Sequence, residues 1–383
     1  MTYLTLIGAW LVFLIVCGAA LEYFWGIRSI GFLKHVLPTE SNYPRISIII
    51  PARNEETHIE EALKSVLSLD YPALEIMVIN DRSTDKTGVI LEKMAHQNSS
   101  LKVIHITDLP QNWLGKNHAL FFGAQKANGE FLLFADADII MEPSLLKKAI
   151  TYVQSEKTDH LTLFPDVKMP GFWLNLFTVG FSIFLCLFLK PWRANNPKSK
   201  AFIGIGAFNL IRKSIYEKIG THEKIRLRPD DDIMLGKLVK KNNFKQNVLF
   251  GTDLLCVEWY SSIKELINGL MKNSFSGVNY KLWLLTLGSL AHIILIIWPF
   301  IAVFITTGRS LILYQLTILF LVMVGAQQAL LNKKNIFYGF GLPLASIMFL
   351  YIIWKAGLKT LRQGGIFWRD TFYSLDELKK NNI

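Results

Sequence analysis

A chain of 383 residues with 51% hydrophobic residues and a mean hydropathy of +0.31 is too apolar for an ordinary soluble protein, and 19% charged residues is too many for a pure transporter. One soluble domain plus membrane segments fits both facts. The net charge of +11 does not point to nucleic acid, because Lys and Arg are dispersed and several flank apolar runs, where they meet anionic lipid headgroups. Neither zinc-finger spacing nor an RNA-binding aromatic signature occurs. Cys17, Cys186 and Cys256 form no disulfide framework and read as small core residues in a reduced setting.

The first element is the uncharged run Leu4–Leu21. Its first basic followers are Arg28, Lys34 and Arg45, the reverse of the charge order of a cleaved signal peptide. A retained anchor is expected, with the N-terminus outside and the next domain in the cytosol. Four more stretches lack Lys, Arg, Asp and Glu over about a bilayer's thickness: Met169–Leu189, Leu282–Gly308, Ser310–Asn332 and Asn335–Trp354.

Arg45–Pro51, RISIIIP, predicts a strand ended by proline. Glu55–Leu69 has helical spacing, with Ile59, Leu63, Val66 and Leu67 on one face. A second strand, Leu74–Ile79, runs into Asn80 and Asp81, and Ser83-Thr84-Asp85 can cap a helix reaching about His96. A third strand at Leu101–Ile106 precedes a helix over Asn117–Asn128 that ends at Gly129. Phe131–Ala135 is the fourth strand. This alternation implies an α/β sheet, mostly parallel, whose ligands bind beyond the carboxyl ends of the strands.

Three of those ends carry polar clusters: PARNEE after the first, NDRSTD after the second, DAD after the fourth. A shared ligand explains three such ends better than three helix caps do. On an extended strand Asp136 and Asp138 start on one face, and two carboxylates there suit a hard divalent cation that holds phosphate oxygens. The alternative is a turn or helix cap beginning at Asp138. Ala201–Arg212, AFIGIGAFNLIR, is apolar and glycine-rich, permitting close backbone approach. RPDDDIMLGKLVKK follows, with three aspartates before a helix. N-terminal capping accounts for one or two of them, not for three.

In this order the motifs resemble the inverting family-2 glycosyltransferases, over about Pro44 to Ser276. The resemblance implies a nucleotide-sugar-binding α/β fold of the glycosyltransferase A type, a mostly parallel sheet with helices on both faces. It places Ala52, Asn54 and Glu55 in the first nucleotide-contacting loop and Asp81 at the uracil base. Asp136 and Asp138 match the D-x-D motif, the second usually ligating Mn²⁺ or Mg²⁺ on the diphosphate. Lys116, in WLGKNHAL, matches a basic position near the diphosphate or sugar. Asp232 aligns with the catalytic aspartate, and Asp231 stands where the family usually has glutamate. The chemistery implied is one displacement: a carboxylate takes the acceptor proton as the nucleotide diphosphate leaves. A Q-x-x-R-W motif common in membrane members is missing from ELINGLMKNSF, Glu265–Phe275. That departure argues against a processive synthase. It brings the chain nearer to lipid-glycosylating members of the carotenoid-acid and ceramide glucosyltransferase type, which the tail GGIFWRDTFYSL also resembles.

The resulting expectation is a membrane anchor over residues 1–27, a cytosolic glycosyltransferase domain over 44–276, membrane helices over 282–357 and a basic-aromatic tail over 358–383, in a multi-pass protein of the cell membrane. Met169–Leu189 lies between Asp138 and Asp232, which must share one side of the bilayer. The region 169–192 is therefore expected to lie in the interface or re-enter, an aromatic-rich segment near a lipid acceptor; a buried core helix is the alternative. Three later spans would put Lys355, Lys359, Arg362 and Arg369 outside, against the positive-inside rule, unless the last helix is broken near Gly339, Gly341 and Pro343. The expected partners are a nucleotide sugar (UDP-glucose by family default), a membrane lipid acceptor and anionic lipids, not nucleic acid. Competing readings are a polysaccharide synthase-type transferase, a sugar nucleotidyltransferase and a non-enzymatic nucleotide-sugar-binding scaffold. The nucleotidyltransferase normally opens on a glycine-rich phosphate loop, and PARNEE has no glycine.

Overall fold

The computed structural model describes residues 2–39, 43–271, 274–368 and 371–381, so Arg369 lies outside the described residues. The chain divides into two compact units.

One unit comprises Ile30–Lys168, Pro191–Trp259 and Phe367–Ile383. Its strands are β1 (Ile46–Ala52), β2 (Leu74–Asp81), β3 (Leu101–Ile106), β4 (Phe131–Phe134), β5 (Ile139–Met141), β6 (His160–Phe164), β7 (Asp166–Lys168), β8 (Asn209–Arg212), β9 (Gln246–Phe250) and β10 (Leu255–Glu258). The main sheet has the order β3-β2-β1-β4-β8-β6-β9. All its pairings are parallel except the two made by β8, which is antiparallel to β4 and β6. A smaller sheet has the order β5-β10-β7.

The sequence explains the layering. Every residue of β1 is buried, as an unbroken apolar run requires when both faces are covered. Alternation then sorts the side chains. Ile48, Ile50, Val78 and Leu133 enter one core with Ile59 and Leu63 of the helix Ile59–Leu67. Ile49, Met77, Leu132 and Phe134 enter the other with Ala119 and Leu120 of the helix Gly115–Lys126 and Leu235 of the helix Asp231–Lys241. Pro51 is tolerated in this central strand because β4 stops pairing at Ile49↔Phe134, before its missing N–H would matter on that side. The helix predicted from Glu55 begins at Ile59, since the residues before it are taken up by the turn that follows β1.

The other unit comprises Met1–Ser29, Met169–Lys190 and Tyr260–Ile366. Among the described residues, five helices are long and apolar enough to cross a membrane: Tyr3–Arg28, Gly171–Arg193, Leu282–Ile305, Gly308–Leu331 and Ile336–Gln363. Within this unit the tyrosine hydroxyl of Tyr23 donates to Gln328 Oε1, whose amide nitrogen donates to Asn332 Oδ1 at 2.8 Å. Gly325 and Gly339 meet backbone to backbone, the close approach that small residues permit between apolar helices. The helix Gly171–Leu189 buries Leu176, Phe177 and Ile183 and leaves Phe172, Trp173 and Phe188 exposed. Phe184 packs on Phe349 with ring centroids 5.2 Å apart. The last apolar run changes character near Gly339, Gly341 and Pro343: a 3-10 turn, Ile336–Gly341, precedes a continuous helix Leu342–Gln363, with Pro343 in its first turn where no intrahelical N–H is needed.

Candidate active site

The loops after β1 and β2 are laced together. Asn54 and Arg82 both take left-handed backbone conformations, φ 54° and 55°. Asn54 Oδ1 accepts from Thr84 N at 2.8 Å, its own N donates to Ser83 Oγ at 3.1 Å, and Glu55 N donates to Thr87 Oγ1 at 2.8 Å. Asn54 thus shapes the loop pair with its side chain. Ala52 is buried at the end of β1, opposite Asn80. Asp81 is fully buried at the end of β2 and is gripped by Arg82, whose Nε and Nη2 donate at 2.7 and 3.1 Å; Arg53 Nη1 stands 3.9 Å away.

Beyond β4 the structure departs from the strand argument. β4 ends at Phe134, so Asp136 and Asp138 sit in the following turn and their strand-face relation does not apply. Asp136 pairs with Lys116 Nζ at 2.8 Å. Burial, then the carboxylates of Asp136 and Glu55, push Asp138 up to about 7. A group so placed gains most from a nearby cation.

Opposite them starts the helix Asp231–Lys241. Asp231 Oδ1 lies 3.5 Å from Lys116 Nζ, so one ammonium bridges the β4 turn and the acidic helix start. Asp232 accepts from Gly206 N and Ile233 N, each at 2.8 Å. Burial pushes Asp231 up to about 7 against the pull of Lys116, and it raises Asp232 despite Lys116 and those two N–H donors. Burial alone would lower Lys116; Asp136, Asp231 and Asp232 outweigh it and keep the amine protonated. A small cavity is lined by Lys116, Asp136, Gly206, His222, Asp231 and Asp232.

Asp230 does something else. Arg228 donates to both its carboxylate oxygens at 2.8 and 2.7 Å in a buried fork, so the first aspartate of the run is structural. The glycines of GIGAFNL are used by the protein itself. A Cβ at Gly206 would collide with the Asp136 carboxylate, and one at Gly204 with the Asp232 carbonyl. Their loop is pinned by Gln246, whose Oε1 accepts from Ile203 N at 2.9 Å, and by Thr162, whose Oγ1 accepts from Ile205 N at 3.0 Å. Gln246 is held in turn by His160, which burial pushes down to about 4 and which is therefore neutral.

Sequence reasoning missed Arg53, Arg82, Arg228, Thr162 and Gln246. Arg53 and Arg82 were visible inside PARNEE and NDRSTD, and Arg228 at the head of RPDDDIMLGKLVKK, as cations flanking a buried acid; Thr162 and Gln246 carried no local signal. Among the described residues, no three His, Cys, Asp or Glu side chains converge into a self-sufficient metal cage.

Residues 47–220 match the Glycosyl transferase family 2 profile. The chain carries a family-2 glycosyltransferase domain. A probable glycosyltransferase of Bacillus subtilis, YdaM, is 33% identical over 228 residues, 54% of this chain and 51% of YdaM, so the chain spans about half of that relative's length. The 4,4'-diaponeurosporenoate glycosyltransferase of Staphylococcus aureus is 23% identical over 88% of this chain and 90% of its own. Among solved structures, the mannosyltransferase PcManGT from Pyrobaculum calidifontis, determined with GDP-Man and Mn²⁺, aligns with a TM-score of 0.56 at 17% identity, covering 91% of this chain and 99% of that one. That likeness shows a shared glycosyltransferase A-type fold, the mostly parallel α/β sheet already described for this domain.

Proposed function

We propose that the protein transfers a sugar from a nucleotide sugar, with inversion, to a membrane lipid, and that it is a multi-pass membrane protein with its glycosyltransferase domain in the cytosol. The observation that carries this reading is the convergence of Lys116, Asp136, Asp231 and Asp232 on one cavity at the carboxyl edge of the sheet. Asp81, held by Arg82, contacts the nucleotide base. Lys116 offers its ammonium to the diphosphate or sugar, exchanging part of its pairing with Asp136 and Asp231. Asp232 takes the acceptor proton: burial raises its affinity for that proton, and two N–H donors hold its carboxylate in place. Asp231 lies next to it and shapes the field. Asp138 is the residue that would hold Mn²⁺ or Mg²⁺, with Asp136 and Glu55 nearby and the remaining ligands coming from phosphate and water. Bound there, the cation would neutralise charge growing on the leaving diphosphate.

The lipid acceptor is supported by the five apolar helices, by the likeness to the Staphylococcus aureus enzyme along most of both chains, and by the missing Q-x-x-R-W motif. UDP-glucose is the default donor. The test is incubation of the purified protein with labelled nucleotide sugars and a membrane lipid extract. Label in the organic phase is the expected result. Label only in polymer, or none with any donor, would turn the reading toward a polysaccharide synthase or a scaffold.

A further inference from the structure

The tail Phe367–Ile383 belongs to the same compact unit as the acidic site. Its helix Leu375–Lys380 is far too short to persist alone, yet it is closed by a complete capping box between Ser374 and Glu377 and docked by a fully buried Leu378. Asn381 ends it and reaches across the chain. Its Oδ1 accepts from Leu227 N at 3.0 Å and its Nδ2 donates to Lys224 O at 3.0 Å, so one amide reads the loop in both directions.

That loop is gripped again by the elements that carry Lys116. Asn117 Nδ2 donates to Ile225 O at 2.8 Å and to Arg228 O at 2.9 Å, and Leu114 N donates to Arg226 O at 2.9 Å. The chain then passes through the Arg228–Asp230 fork straight into Asp231 and Asp232. A few residues before Asn381, Tyr373 is buried within electrostatic reach of Arg82, Asp81 and Arg53.

We propose that Asn381 is a positioning residue: its amide clasps the loop Lys224–Leu227 and so fixes the acidic helix start against Lys116. The proposal rests on the functional reading above for its kinetic consequences, but the clasp itself is a structural statement.

The test compares the full chain with Asn381→Ala and Asn381→Asp, by hydrogen exchange of the segment 222–230 and by kinetics with UDP-glucose and lipid extract. Asn381→Ala should speed exchange in that segment and lower kcat about tenfold, the scale expected for a slightly misplaced catalytic group, with donor KM within about twofold. Asn381→Asp keeps an acceptor for Leu227 N and loses the donor to Lys224 O, so it should fall between wild type and Asn381→Ala in both readouts. Unchanged exchange in Asn381→Ala would overturn the clasp. Equal kinetic losses in the two variants, or a fall in kcat matched by a rise in KM, would overturn the positioning role. A wild-type chain that turns over no nucleotide sugar would sink the functional reading, and the exchange comparison would then decide the clasp alone.

Discussion

At Asp138 a carboxylate is desolvated and sits beside Asp136 and Glu55. Asp136, two residues earlier, has Lys116. This asymmetry underlies the proposed division of roles, in which Asp136 is paired by the protein and Asp138 would hold the cation. Asp138→Asn keeps the shape and removes the charge, so transfer should fall at least about tenfold if the metal contributes several kcal/mol. Full activity of that variant in EDTA would contradict the assignment. Individual residues were legible where a polar group interrupts an apolar run: Asp81, Asp136, Asp138 and the aspartates before the helix at Asp231 all announced themselves that way. What remained hidden was division of labour. Arg228 stands two residues before Asp230, but nothing local says that Asp231 faces Lys116, because that partner is brought in by the helix Gly115–Lys126, more than a hundred residues earlier in the chain.

Elements were legible in proportion to their apolar length. β1 through β4 and their helices follow from uninterrupted or periodic hydrophobic runs, whereas the small sheet of β5, β7 and β10 uses strands of three or four residues, too short to show a period. The lacing of the central strands also depends on a buried polar residue. Glu75 of β2 accepts from Ser47 Oγ of β1 at 2.5 Å, from Lys102 Nζ of β3 at 2.8 Å and from Asn128 N at 2.9 Å in the turn before β4. Burial would raise its pKa, but these donors outweigh it and bring it to about 2, from an ordinary value of 4.5. Its ionised form therefore stabilises the fold at neutral pH, and that contribution is lost as pH falls from about 4.5 toward 2. Partly exposed lysine screens the pairing, so we expect Glu75→Gln to cost about 1–2 kcal/mol at pH 7. Thermal melts of the two proteins should converge as the pH drops through that window; a constant difference down to pH 2 would mean that Glu75 acts through packing alone.

At the scale of the whole molecule, composition announced both a mixed domain and a set of apolar helices, and the order of motifs announced the family. Topology across the membrane was not legible, because helices of equal hydropathy can span, lie flat or pack in a core. The segment Gly171–Leu189 illustrates this: Phe184 packs on Phe349, so a charge there would test bundle packing, whereas Trp173 and Phe188 are exposed. If that segment admits a lipid acceptor, Trp173→Asp with Phe188→Asp should reduce transfer to lipid far more than hydrolysis of the nucleotide sugar by water, since charge is costly at the bilayer. Equal losses in both reactions would remove the lipid-entry idea.

The measurement closest to the central claim is titration of Asp232→Asn with the nucleotide sugar, run beside a transfer assay on the same preparation. A base acts in the transition state, so donor affinity should stay within about twofold of wild type and transfer should be abolished, with Asp231→Asn milder. Loss of donor affinity in Asp232→Asn, or transfer that survives it, would mean that Asp232 is not the base.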